Sequence, residues 1–114
     1  MPSRSLELLK GTLDVLILKT VSWGPLHGYA ISRWIRDQTE DAFHVEEGAL
    51  YPALRRLEKK GWLDAEWGVT GTGREAKFYE LTQAGTKQLE SQVTVWTRYV
   101  EAMARVLHAA GPNQ

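Results

Sequence analysis

Six residues in the middle of this chain have the types and spacing to grip a polyanion. Tyr51, Arg55, Arg56 and Lys59 follow Gly48 and Ala49 within a stretch that reads EEGALYPALRRLEKKGWL from Glu46 to Leu63. At about 100° per residue, Leu50, Leu54 and Leu57 fall on one narrow arc, flanked by Ala53, and that arc must face a core. The opposite arc carries Gly48, Ala49, Tyr51, Pro52, Arg55, Arg56 and Lys59. Its opening is small, so a backbone there can approach a flat surface closely. A phenol comes next, then positive charge one and two turns later. Guanidinium and ammonium groups with a hydroxyl donor bind phosphate oxygens, which makes duplex DNA the natural match. An amphipathic surface helix with a solvated charged face reads the same way when taken alone.

Other chemistries find little support. His27, His44 and His108 are scattered and the chain has no cysteine, so no metal set is expected. No nucleophile, base and orienting acid stand in a recognisable arrangement, and the glycines around position 71 lack a phosphate-loop pattern. Neither an enzyme nor a cofactor is expected. The 14 basic and 14 acidic residues cancel to a formal charge of zero. That weakens a nucleic-acid reading without removing it, because placement matters more than the sum.

These residues need elements to hold them. Pro52 lacks an amide proton and suits a helix's opening turn, so the third helix should begin near Gly48 or be distorted there. Lys59, Lys60 and Gly61 supply its stop. Upstream, Leu9, Leu13, Leu16, Ile17 and Val21 predict a first helix over 6–22, apolar on more than one side because Leu8, Val15 and Leu18 lie off the stripe. Trp23-Gly24-Pro25 breaks it. A second helix is expected over 26–38, with Leu26, Ala30, Ile31, Trp34 and Ile35 inward. Downstream, Trp62 to Trp67 alternates as a strand, with Leu63, Ala65 and Trp67 on one side. Glycines 68, 71 and 73 mark a turn, and 76–81 returns with Phe78 and Tyr79 on opposite faces. The tip presents Thr70, Thr72 and Arg74, with Lys77 behind it; a mobile surface loop is the plain alternative.

Thr82 is a plausible N-cap for a helix running to about Ala109, roughly 42 Å at about 1.5 Å per residue. Leu89, Val93, Trp96, Val100, Met103 and Leu107 recur at heptad spacing along it. Val95, Tyr99, Ala102 and Val106 add a parallel stripe. A wide apolar face on an overhanging helix predicts a homodimer, with packing on the chain's own first helix as the competitor. No apolar run approaches the ~20 residues of a membrane span. The opening MPSRSLELLKG lacks a secretory signal's apolar block, so a cytoplasmic protein is the default expectation. The expected fold is α+β, mostly α: a winged helix-turn-helix with a two-stranded wing over 1–81, then a long dimerisation helix and short tail over 82–114.

Several ordered motifs resemble a known family. Gly24-Pro25-Leu26-His27-Gly28-Tyr29 is followed by Gly48-Ala49-Leu50-Tyr51-Pro52-Ala53-Leu54 with Arg56-Leu57-Glu58. Gly61-Trp62-Leu63, Lys77-Phe78-Tyr79, Leu81-Thr82 and Ala84-Gly85 come next. Together they look like the PadR family of bacterial transcriptional regulators, in its compact branch with a single C-terminal helix. The resemblance implies a winged-helix dimer that represses transcription from a near-palindromic operator, often until a signal releases it. It implies the third helix in the major groove, with Tyr51 on backbone phosphate and Gly48, Ala49 and Pro52 near the DNA. Arg55 and Arg56 would lie further back, Arg74 and Lys77 would reach from the wing, and Tyr29 and Arg33 would brace the backbone. Relatives often carry consecutive arginines before the return strand; here Glu75 follows Arg74, which discounts the wing. In some multidrug-sensing members a tryptophan in the corresponding helix stacks on flat apolar ligands. Trp96 could thus meet a planar aromatic effector, or simply fill the dimer core. The rival class is a dimeric winged-helix interaction module that does not bind DNA.

Overall fold

A computed structural model describes residues 6–9 and 11–113. Residues 1–5 at the start of the first expected unit, Lys10 within the first expected helix, and residue 114 lie outside the described residues. The elements run α1 (Thr12–Thr20), a 3-10 turn (Val21–Trp23), β1 (Leu26–His27), α2 (Gly28–Gln38), α3 (Glu47–Lys59), β2 (Leu63–Val69), β3 (Glu75–Leu81) and α4 (Gln83–Leu107).

The first helix is shorter than its apolar pattern suggests. Gly11 sits at φ 86°, in the left-handed region, so α1 starts at Thr12 rather than at Leu6. The segment before it runs alongside the turn after α2, where the Leu6 amide donates to the Ala42 carbonyl at 2.7 Å. Leu6 and Leu9 are therefore exposed and do not belong to a helical stripe. The second helix also begins late. Leu26 and His27 form a short strand against Tyr79 and Phe78, so the sheet has three antiparallel strands in the order β1-β3-β2, the two-stranded wing plus one. After α2, Glu40 and Asp41 take positive φ, and an Arg36–Asp41 ion pair at 2.8 Å braces that bend. Its hydrogen bond holds the Asp41 carboxyl below the usual carboxylate range.

One core unites the helices and the sheet base. Ile17, Leu18 and Val21 meet Ile31 and Ile35 of α2, Leu50, Leu54 and Leu57 of α3, and Leu63 and Tyr79 of the hairpin. Burial pushes the Tyr79 phenol above its ordinary pKa, with the nearby Glu58 carboxylate adding to the shift. Pro52 lies inside α3, one turn past Gly48. It cannot donate to the Gly48 carbonyl, but the helix continues because its apolar arc is fully buried.

The junction between hairpin and α4 is tightly built. Thr82 caps α4 by accepting from the Gly85 amide at 2.9 Å, while its hydroxyl donates to the Gly61 carbonyl at 2.6 Å. Gly85 is buried against the end of the α3–β2 connection: a Cβ there would stand 2.0 Å from the Trp62 carbonyl oxygen. Leu89 reaches the core, and Trp96 packs partly on it. Beyond them α4 leaves the body, and the molecule extends 64 Å along its longest axis. Val93, Val95, Tyr99, Val100, Met103, Val106 and Leu107 are all exposed. No helix among the described residues is long and apolar enough to cross a membrane.

Candidate nucleic-acid interface

The leucines of α3 turn inward, so its outward arc is fixed by default. Gly48, Ala49, Tyr51, Pro52, Arg55, Arg56 and Lys59 are all exposed along one side. Tyr51 leans towards α2. Its ring lies on Gly28, where a Cβ would come within 3.0 Å of both Tyr51 Cε1 and its hydroxyl oxygen. Glycine at the first residue of α2 thus makes room for the tyrosine, and the two helices meet at that contact.

Between α3 and the hairpin runs a cleft of about 390 Å³. Tyr51 and Arg55 line it from α3, Tyr29 from α2, and Trp67 and Lys77 from the hairpin. Four of the expected site residues therefore converge on one place. The rest are arranged differently. Arg33 lines a separate, polar hollow of about 490 Å³ with Arg36, Asp37 and Asp41, and its Nη1 donates to the Tyr29 hydroxyl at 3.4 Å. Arg56 is tied back to the body, where its Nη2 donates to Asp14 of α1. Lys77 makes a long contact of 3.4 Å with Glu58, a pair exposed enough to hold it only weakly. Arg74 is at the exposed hairpin tip, where its amide donates to the Thr70 hydroxyl. Gly48, Ala49 and Pro52 are at the outer start of α3.

Charge is sorted across the sheet. Asp64, Glu66 and Glu80 surround a hollow of about 320 Å³ beside Pro25 and Phe78. Asp64 pairs in register with Glu80, whereas Trp67 pairs with Lys77 on the strand face that turns towards α3. The hairpin's acids thus gather mostly on its outer face, while the inner face carries Lys77 with a single acid and is neutral in sum. Glu75, opposite Val69, is the exception and bounds the cleft towards the tip.

Trp67 is the residue that the pattern of the sequence hides. It shares a strand face with buried Leu63 and half-buried Ala65, as the alternation predicts. Yet it is 69% exposed, because the core ends before the strand does. No local signal in the sequence shows how far along a strand the packing helix reaches.

On the other side of the molecule, an apolar groove of about 710 Å³ lies between α4, α1 and the segment before α1. Val93, Trp96 and Val100 form one wall, with Leu6, Leu9 and Leu16 opposite. The Trp96 ring meets Tyr99 edge-on at 5.9 Å. Among the described residues no group of three or more histidines and carboxylates could hold a metal ion.

This architecture recurs in known proteins. The crystal structure of a PadR-like transcriptional regulator from Bacillus cereus superposes with a TM-score of 0.76 at 27% identity, covering 88% of this chain and 95% of that one. A transcriptional regulator of Mycobacterium tuberculosis is 30% identical over 111 residues, 92% of this chain and 95% of its own length. The negative transcriptional regulator PadR of Bacillus subtilis is 29% identical over 77 residues, 68% of this chain but 42% of the longer relative. The family model for PadR-like transcriptional regulators matches residues 17–91, from α1 into α4 and across the whole α3–hairpin cleft. The chain belongs to the PadR-like family of transcriptional regulators.

Proposed function

We propose that this protein is a cytoplasmic repressor that binds a near-palindromic DNA operator as a homodimer. Residues 1–81 form the DNA-binding unit, and 82–114 form the dimerising helix and tail. The observation that carries this reading is the convergence of Tyr29, Tyr51, Arg55 and Lys77 on one cleft, with most of the hairpin's acids on the opposite face. That sorting answers the objection from zero net charge, because a local cationic surface suffices for phosphate contact. Repression is supported by the Bacillus subtilis relative, which is a negative regulator. The uncovered seam of α4 supports pairing, since an apolar face of that width calls for a partner.

The reading is tested by titrating mixed-sequence duplex DNA, and the fragment upstream of the protein's own coding region, across a salt series. Wild-type affinity should fall steeply with salt. Tyr51→Ala with Arg55→Ala should weaken binding by about tenfold or more and lower the salt slope by about one. Duplex binding that is absent or flat in salt on both DNAs would favour the interaction module instead.

Trp96 supports a second, finer reading. Its ring borders the apolar groove, and an indole face suits a flat aromatic effector. Planar aromatic compounds should then quench tryptophan emission in the wild type but not in Trp96→Ala. Equal quenching in both proteins would reject that use of the groove.

A further inference from the structure

We infer that the cleft between α3 and the hairpin seats one sugar-phosphate strand, and that Trp67 forms its apolar wall. The inference rests on the DNA reading above and adds a contact that this reading does not contain. If α3 occupies a major groove and the hairpin reaches the adjacent minor groove, the strand separating those grooves must run between the two elements. The cleft of about 390 Å³ is the space between them.

Its lining matches such a strand in kind. A DNA strand alternates charged phosphates with sugars whose faces are mostly C–H. Arg55 and Lys77 offer cations, and Tyr29 and Tyr51 offer hydroxyl donors, all suited to phosphate oxygens. Trp67 offers a broad apolar surface and one indole N–H, suited to a deoxyribose with a phosphate beside it. It is 69% exposed on a strand face that is core only at Leu63, beyond the reach of the packed helices, and that leaves its broad surface open to the cleft. The register places it directly across from Lys77, so apolar and cationic groups stand side by side. Glu75 bounds the cleft towards the tip, which confines the phosphate to the inner end near Arg55.

Contact with a sugar releases no counterion, and that separates Trp67 from the cationic residues. The test compares wild type, Trp67→Ala, Trp67→Phe and Lys77→Ala for binding to mixed-sequence duplex DNA over a salt series, with thermal melts of each free protein. Trp67→Ala should bind about tenfold more weakly with an unchanged salt slope, and Trp67→Phe should recover most of the loss. Lys77→Ala should lower the slope by about one. DNA should also shield an acrylamide-accessible tryptophan in the wild type, and that shielding should disappear in Trp67→Phe. Salt-dependent wild-type binding with an unaltered Trp67→Ala affinity would overturn the role of Trp67 alone. A wild type without salt-dependent binding would overturn the DNA reading and this inference with it.

Discussion

Val100→Glu, alone and with Trp96→Glu, is expected to turn a dimer into a monomer and to weaken binding to a two-half-site operator by roughly 10²–10⁴-fold. The seam from Val93 to Leu107 lies mostly uncovered, with Val100 59% exposed and Leu107 69% exposed. In a helix pair these positions would interdigitate and lose water. A carboxylate at the two-fold axis would then face its own copy in a low-dielectric surrounding, where neither charge finds a partner. Linking two DNA-binding units makes the second half-site contact intramolecular, so loss of the dimer removes that advantage without touching any DNA-contacting side chain. Sedimentation at micromolar concentration reads the first effect, and binding to one against two half-sites reads the second. Affinity for a single half-site should stay near the wild-type value. Val100→Glu is the decisive variant, because Trp96 packs partly on the core and its replacement also perturbs the fold. A Val100→Glu protein that remains dimeric would move the interface elsewhere on the chain.

Gly85→Ala is expected to destabilise the fold by about 3 kcal/mol, the upper end for an overpacked site. In a chain of this size the melting temperature should drop by on the order of 10 °C. The obstacle is not a side chain that can swing away. An alanine Cβ would stand 2.0 Å from the Trp62 carbonyl oxygen and 2.9 Å from its carbon, so α4 or the α3–β2 connection must shift. Any such shift strains the Thr82 contacts to Gly61 and to the Gly85 amide. Gly48→Ala is the matched control. A Cβ there meets nothing within 4 Å, and alanine is the better helix former, so the melting temperature should hold or rise slightly. Equal melting of Gly85→Ala and wild type would mean that α4 does not dock on Trp62 in this way.

Much of this was legible wherever the chemistry is local. The leucine spacing of α3 fixes its inward arc, and so exposes Tyr51 and Arg55 on the other side. Thr82 reads as an N-cap, and it is one. What stayed hidden depends on distant partners. Leu6, Leu8 and Leu9 continue an apolar pattern up to Gly11, and only the glycine's left-handed backbone moves the start of α1 to Thr12. β1 is two residues long and exists only because β3 pairs with it. Arg56 reads as a free surface cation, but Asp14, 42 residues away, holds it. Trp67 falls on the same side of the strand as Leu63, and only the reach of the packed elements shows that it stays exposed where Leu63 is buried.

The junction at Thr82 and Gly85 also makes α4 a lever. Seated on the Gly61 and Trp62 carbonyls, its first turn has little freedom to tilt independently of the α3–hairpin unit. The 25 residues of α4 span about 37 Å, so a change of about 5° in that seat swings the far end by roughly 3 Å. In a pair joined through these helices, both swings appear as a change in the separation of the two recognition surfaces, while the grooves of a duplex keep a fixed pitch. In such a pair, a shift of α4 against α1 by even a fraction of a side chain would alter the gauge with which the two surfaces meet a duplex.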